Sequence, residues 1–288
     1  MSKFQEALDF TAESLRKLSE TGSNLRGSRE SLRRLSAAKA QARPAAVAPA
    51  LATPKAALAA PATASTKSAP APPSTDVFQT TGATKQERIE QLRAAVAPCT
   101  KCPNLARTRT QTVFGVGNID AQIMFVGEAP GADEDLQGEP FVGKAGQLLT
   151  KIIETMGVKR SDVFIANVLK CRPDMPPGAS GNRRPTTAEM QTCLPYLRAQ
   201  IEIIKPQVLV ALGSVAMEGL LGSVEPMSRL RGRWHEFQGI PLMATYHPAY
   251  LLRNQSLGEK RKVWEDMLLV MERVGLPISE KQRGYFLK

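Results

Sequence analysis

From Thr84 onward the chain alternates short apolar runs with longer stretches whose apolar residues recur every three or four positions, an order that few architectures accept. "KQERIEQLRAAVAPC" reads as a helix, "QIMFVGEA" as a buried strand ending in a turn, and "KAGQLLTKIIETMGV" as a helix stopped by Gly157. "DVFIANVLKC" is a second strand; after it comes "TTAEMQTCLPYLRAQIEIIK", where Thr186 and Glu189 stand at capping-box spacing. "QVLVALGS" and "IPLMATYHPAY" supply further strands, and "EKRKVWEDMLLVMERVG" a closing amphipathic helix. Strands that are apolar on both faces need cover on both sides, so the pattern predicts an α/β class fold with a central, mostly parallel sheet between helices. In open sheets of this kind ligands gather at the carboxyl ends of the strands. Four polar segments fall there: "GEAPG", "ANVLKC", "GSVA" and "TYHPAY".

The first third of the chain has a different composition. Residues 1–36 hold one weak amphipathic helix or a disordered segment, through the spacing of Phe4, Leu8, Leu15 and Leu18. Residues 37–84 form an Ala/Pro/Ser/Thr tract with almost no large apolar groups, a composition that cannot offset the entropy of ordering itself and is expected to be a disordered linker. The folded domain is expected over 85–276, with 277–288 as a C-terminal tail.

The formal charge of +11 makes a polyanion the leading partner class, nucleic acid ahead of an anionic membrane. Beyond Lys85, however, 26 basic residues face 21 acidic ones, so the basic residues must be unevenly placed to bind one. No run of 18 apolar residues occurs and the N-terminus lacks a signal-peptide layout, so a cytoplasmic, nucleoid-associated protein with no membrane contact is expected. In a reducing compartment the four cysteines are not expected to pair as disulfides.

The stretch "MFVGEAPGADEDLQGEPFVGKAGQLL" sets acids at the mouth of a glycine turn. No Gly-Lys-Ser/Thr follows, and the dinucleotide spacing fails, so a phosphate cradle is excluded on spacing as well as on charge. Two readings remain: an acidic helix-capping turn, or a pocket for an uncharged or developing-cation group. Cys99-x2-Cys102, Cys171 at a strand end and Cys193 on the next helix can close a four-thiolate site, and their spacing allows zinc or an iron–sulfur cluster. Of the two histidines, His247 sits at a strand end before Pro248, placed to point into a cleft; His235 lies in an Arg-rich turn and reads as a packing residue.

Together, "APCTKCPNL", "FVGEAPGADEDLQGEPFVGKAGQLL", "IANVLKCRP", "LRGRWHEF" and "TYHPAYLLRN" closely resemble the family 4 uracil-DNA glycosylases, the iron–sulfur branch of that superfamily, over about two thirds of the chain. The resemblance implies a three-layer α/β/α fold, removal of uracil from DNA by cleavage of the N-glycosidic bond, and Cys99, Cys102, Cys171 and Cys193 as ligands of a structural [4Fe-4S] cluster. One departure is the 21-residue separation of Cys171 and Cys193, in which "DMPPGAS" lengthens a surface loop. Covalent uracil-trapping relatives would need a nucleophilic histidine between Arg172 and Thr187, and none is present there.

Cleavage of deoxyuridine sends the base off as an anion while the sugar gains oxocarbenium character, so donors are needed at the base and negative charge near the sugar. On the resemblance, Glu128 positions water or stabilises the sugar cation, and Ala129 or its neighbours offer backbone N–H groups. His247 donates to uracil O2, Asn167 reads the N3 and O4 edge, and Phe141 stacks on the ring. Flipping the base out of the helix calls for a wedge; Leu251 is the expected one, with Arg253 on the adjacent phosphate. Arg172, Arg183, Arg184, Arg229, Arg231 and Arg233 are further candidates for backbone contacts, while Asp133, Glu134 and Asp135 either shape the pocket rim or order its loop. The expected partner is uracil-containing DNA, single- or double-stranded, bound by a monomer; the sequence names no partner for the N-terminal tail.

Overall fold

The computed structural model describes residues 77–176, 178, 179 and 181–287. The expectations for residues 1–36 and for the linker up to residue 76 lie outside the described residues.

Helices α1 (Lys85–Val96) and α2 (Pro103–Thr108) precede the sheet. The order then runs β1 (Val116–Gly117), β2 (Ile123–Gly127), α3 (Ala132–Gln137), α4 (Lys144–Thr155), β3 (Phe164–Asn167), α5 (Thr187–Ile204), β4 (Val208–Leu212), α6 (Ser214–Leu221), α7 (Met227–Leu230), β5 (Trp234–Phe237), β6 (Ile240–Thr245), α8 (Pro248–Arg253), α9 (Leu257–Arg273) and α10 (Glu280–Arg283). Six strands form one sheet in the order β1-β3-β2-β4-β6-β5. The inner four are parallel, and the edges β1 and β5 pair antiparallel with β3 and β6. The expected three-layer α/β/α class is therefore the observed one.

The strand periodicity decides which face each side chain covers. Met124 and Val126 of β2 join a core with Leu194, Leu197 and Ile201 of α5 and Met217 and Leu220 of α6. Their neighbours Ile123 and Phe125 join the opposite core with Leu149 and Ile153 of α4 and Trp264, Met267 and Met271 of α9. A third, smaller core lies outside α5, where Ile89, Leu92 and Val96 of α1 meet Tyr196, Ala199 and Ile203. Thr84 and Glu87 cap α1 reciprocally, as Thr186 and Glu189 cap α5.

Both ends of the domain carry contacts beyond its compositional limits. Phe78 packs on Tyr196 with ring centroids 5.5 Å apart, and the N–H groups of Thr81 and Gly82 donate to Gln91 Oε1. In the segment set apart as a C-terminal tail, the Gln282 carbonyl accepts from Trp264 Nε1 at 2.6 Å, and Tyr285 packs against the α4/α9 core.

Candidate active site

The carboxyl ends of three of the four parallel strands, β2, β4 and β6, open into one cleft of about 550 Å³. Glu128, Ala129 and Pro130 follow β2, Gly213 to Val215 follow β4, and Tyr246, His247, Ala249 and Tyr250 follow β6; the opposite wall is made by Pro173, Asn182, Arg183 and Arg184. Burying parallel strands on both faces leaves their ends as the place where the chain turns outward, which is why the segments "GEAPG", "GSVA" and "TYHPAY" converge there.

At the end of β3, beside Gly127 and outside the residues that line the cleft, Asn167 is 2% exposed, and its Oδ1 is buried with no hydrogen-bond partner. A Cβ placed on Gly127 would lie 2.3 Å from that oxygen and 2.5 Å from Phe141 Cζ, so the amide and the aromatic ring flank one point above a residue that has to be glycine. Phe141 holds a left-handed backbone (φ 56°), costly for an aromatic residue and frequent where a side chain is aimed for function. Its ring stacks on the His247 imidazole with centroids 5.6 Å apart and planes at 30°. His247 caps α8: Nδ1 accepts from the Ala249 N–H at 3.1 Å. Burial and then the Arg253 charge lower its pKa to about 4, which keeps the ring neutral.

Glu128 lines the cleft and is only partly exposed. Burial raises its pKa above the usual carboxylate value, the Arg184 charge acts against that rise, and Glu218 adds to it. Arg184 is itself ion-paired with Glu218 on α6. Two of the other acids of this stretch, Glu134 and Asp135, order the loop. Glu134 accepts from the N–H groups of Gly131, Val142 and Gly143 at 3.0 Å each, and the buried Asp135 accepts from the Thr110 N–H through both oxygens.

Other sequence candidates are placed unevenly. Arg253 is exposed at the end of α8 and lines the cleft. Arg183 also lines it but is held by Asp174 and Glu189, and the Glu189 carboxyl is lowered to about 2 chiefly by that guanidinium. Arg231 is committed to Asp266, which also accepts from Thr245 Oγ1 at 2.7 Å and so braces the strand that leads to His247. Arg172 donates to the Gly181 carbonyl, and Arg233 stands 3.9 Å from Glu225. His235 bonds the Leu230 carbonyl at 2.7 Å on edge strand β5, a packing role. Leu251, the expected wedge, is 5% exposed and lines an apolar groove with Leu148, Ile152, Val263 and Trp264; Leu252, which borders the same groove, is 39% exposed.

The four cysteines are free thiols in and around the core outside α5: Cys171 and Cys193 are buried within it, and Cys99 and Cys102 pack against it. Burial first, then mutual repulsion among the cysteines, raises Cys102; burial raises Cys171, and drives Cys193 up to about 12. Donors surround the sulfurs: Arg109 Nη1 at 3.0 Å from Cys171 Sγ, the Lys170 N–H at 3.3 Å from Cys193 Sγ, and the Tyr196 hydroxyl at 3.5 Å from Cys99 Sγ. Buried thiols with N–H and O–H donors turned toward them suit thiolates that a cation neutralises. Among the described residues no group of three or more His, Cys, Asp or Glu is arranged to hold a single metal ion.

Sequence reasoning missed the tight packing at Gly127, the burial of Lys170 and the Arg184–Glu218 pair. Only Gly127 left a signal, as the first residue of the glycine turn.

Residues 114–268 match the family model described as the uracil DNA glycosylase superfamily. The type-4 uracil-DNA glycosylase of Thermotoga maritima is 45% identical over 186 residues, which is 64% of this chain and 93% of that protein. The type-4 enzyme of Archaeoglobus fulgidus is 42% identical over 182 residues, 60% of this chain and 88% of that protein. A type-5 uracil-DNA glycosylase of Pyrobaculum aerophilum is 28% identical over 186 residues, 53% of this chain and 79% of that protein. A superfamily match over more than half of the chain, with type-4 enzymes above 40% identity covered over most of their length, shows that the chain belongs to the type-4 branch of the uracil-DNA glycosylase superfamily.

Proposed function

We propose that the protein flips uracil out of single- or double-stranded DNA and hydrolyses its N-glycosidic bond, leaving an abasic site. The observation that carries this reading is the orphan acceptor of Asn167. A buried amide oxygen without a donor costs about 1–3 kcal/mol, and a uracil N3–H would supply the partner while the Asn167 amide N–H donates to O4. Phe141 stacks on the base.

As the C1′–N1 bond breaks, its electron pair leaves with the base and charge accumulates on O2. His247, neutral and with Nδ1 already accepting, presents Nε2–H to that oxygen as a hydrogen-bond donor without giving up its proton. Glu128 in its ionised form faces the developing sugar cation and orients the water that adds to C1′. Arg253 meets a neighbouring phosphate, which positions the strand and carries no sequence information. Leu252, the exposed leucine of α8, fills the gap left by the flipped base.

The thiols of Cys99, Cys102, Cys171 and Cys193 would hold a structural [4Fe-4S] cluster, which when bound would supply folding free energy to this region and no chemistry at the base. The test is an assay of the pure protein on uracil-containing single- and double-stranded oligonucleotides scored for abasic sites. Abasic product is expected on uracil and none on matched thymine or cytosine; retention of uracil-DNA without cleavage would leave a binder in place of an enzyme.

A further inference from the structure

Lys170 is 1% exposed, unusual for the residue type least often buried. Its Nζ donates to the main-chain carbonyl of Asn167 at 2.9 Å and to Gln200 Oε1 on α5 at 2.6 Å. Gln200, also fully buried, is oriented by its own bond from Nε2 to the Phe114 carbonyl at 2.9 Å. The backbone of Lys170 serves a different centre: its N–H donates to Cys193 Sγ at 3.3 Å, and its carbonyl accepts from the Val113 N–H at 2.7 Å. An ammonium in the interior persists only where groups hold it, and base excision as set out above makes no use of this one.

The surrounding chain explains what the lysine connects. Asn167 is the last residue of β3, where the ladder with β2 ends. The next two N–H groups, of Val168 and Leu169, are tied to the carbonyls of Gly127 and Glu128, the second of which lines the cleft. Cys171 then enters the thiol centre, where Arg109 donates to it. A single stretch from Asn167 to Cys171 thus runs from the end of β3 to the sulfurs, and at its fourth residue one side chain reaches back to the strand end.

We propose that Lys170 is a positioning residue for uracil readout: its buried ammonium fixes the Asn167 carbonyl while its backbone fixes Cys193, so the reading amide is held in register by the same residue that abuts the thiol centre. This rests on the assignment of Asn167 as the base reader. An amide displaced by about 1 Å loses much of its effect on the transition state, on the order of a hundredfold in rate.

The test is a double-mutant cycle on the full-length, iron-loaded protein with Lys170→Met and Asn167→Ala. Four quantities are measured: single-turnover excision, affinity for the oligonucleotide, affinity for free uracil by calorimetry, and iron content with visible absorbance. Lys170→Met is expected to keep its iron and its DNA affinity while losing about a hundredfold in excision rate and about tenfold in uracil affinity. In the Asn167→Ala background the same change should add less than about twofold, because the two act through one group. Additive losses, a folded variant with unchanged excision and uracil affinity, or loss of iron in step with loss of excision would each overturn the proposal. If Lys170→Met does not fold, Gln200→Leu, which removes the acceptor that aims the ammonium, is taken through the same cycle with the same outcomes. A wild type that fails to excise uracil would remove the functional reading itself, and that result is visible without any variant.

Discussion

The Ala249 N–H donates to Nδ1 of His247 across 3.1 Å, so the neutral ring carries its proton on Nε2, toward the cleft. With its pKa lowered to about 4, His247 stays a neutral donor through the physiological range, and loss of activity in acid falls to Glu128, whose carboxyl is raised by burial. Single-turnover rates should decline as pH drops through that raised carboxyl value. Glu128→Gln should erase the decline while lowering the plateau by roughly two to three orders of magnitude. An acid limb near the ordinary histidine pKa that disappears in His247→Gln would contradict the assignment. Stability carries the matching sign. The unfolded chain protonates His247 first, so its contribution is complete above about pH 6.5 and is lost as pH falls from there toward 4. Urea midpoints of His247→Gln should therefore fall less over that window than those of the wild type.

Gly127 leaves no room for a side chain between Asn167 Oδ1 and the Phe141 ring. Gly127→Ala should cost about 1–3 kcal/mol of stability through overpacking and lower uracil excision by about a hundredfold or more through displacement of the reading amide. Circular dichroism with single-turnover kinetics checks both; a variant with wild-type rates would show that Asn167 and Phe141 do not flank the bound base.

Thiolate ligation carries folding free energy, so Cys171→Ser should lower the melting temperature and reduce iron content and visible absorbance together. A chelator added to folded wild type should leave turnover intact over the time of an assay. Zinc in place of iron in the purified protein, at full activity, would replace the cluster by a zinc site.

On α8 the two leucines should separate cleanly. Leu251→Ala, which empties a packed position, is expected to cost about 2–5 kcal/mol in urea unfolding. Leu252→Ala should leave stability within about 0.5 kcal/mol of wild type and slow excision from duplex DNA more than from single strands, since only a duplex needs its gap held open. The reverse pattern would return the wedge to Leu251.

The inner strands were legible because each is apolar on both faces: Ile123 to Val126 alternates between two cores, and such a run has no stable place except mid-sheet. β1, of two residues, and β5, of four, are too short to show a period. The strand ends of the candidate site were legible from the resemblance and from the polar residues that interrupt the apolar runs. The sequence points to Leu251 as the wedge, but a six-residue helix opened by Pro248 is too short to reveal which of Leu251 and Leu252 faces inward. The roles of Glu134 and Asp135 depended on backbone N–H groups brought up by the turn and by Thr110, partners that composition does not show. Lys170 carried no signal of burial, since the groups that hold its charge, Gln200 and the Asn167 carbonyl, come together only in the folded chain.

Base reading by Asn167 is tested most directly by single-turnover excision from matched uracil and cytosine oligonucleotides with wild type and Asn167→Asp, between mildly acid and neutral pH. The amide accepts from N3–H and donates to O4 of uracil, while cytosine presents the opposite polarity at both positions. Asn167→Asp removes the donor and should lower uracil excision by roughly two to four orders of magnitude; where the acid is protonated in its buried setting, a trace of cytosine excision should appear toward acidic pH. Wild-type uracil rates in Asn167→Asp would make Asn167 a strand-end residue with no part in recognising the base.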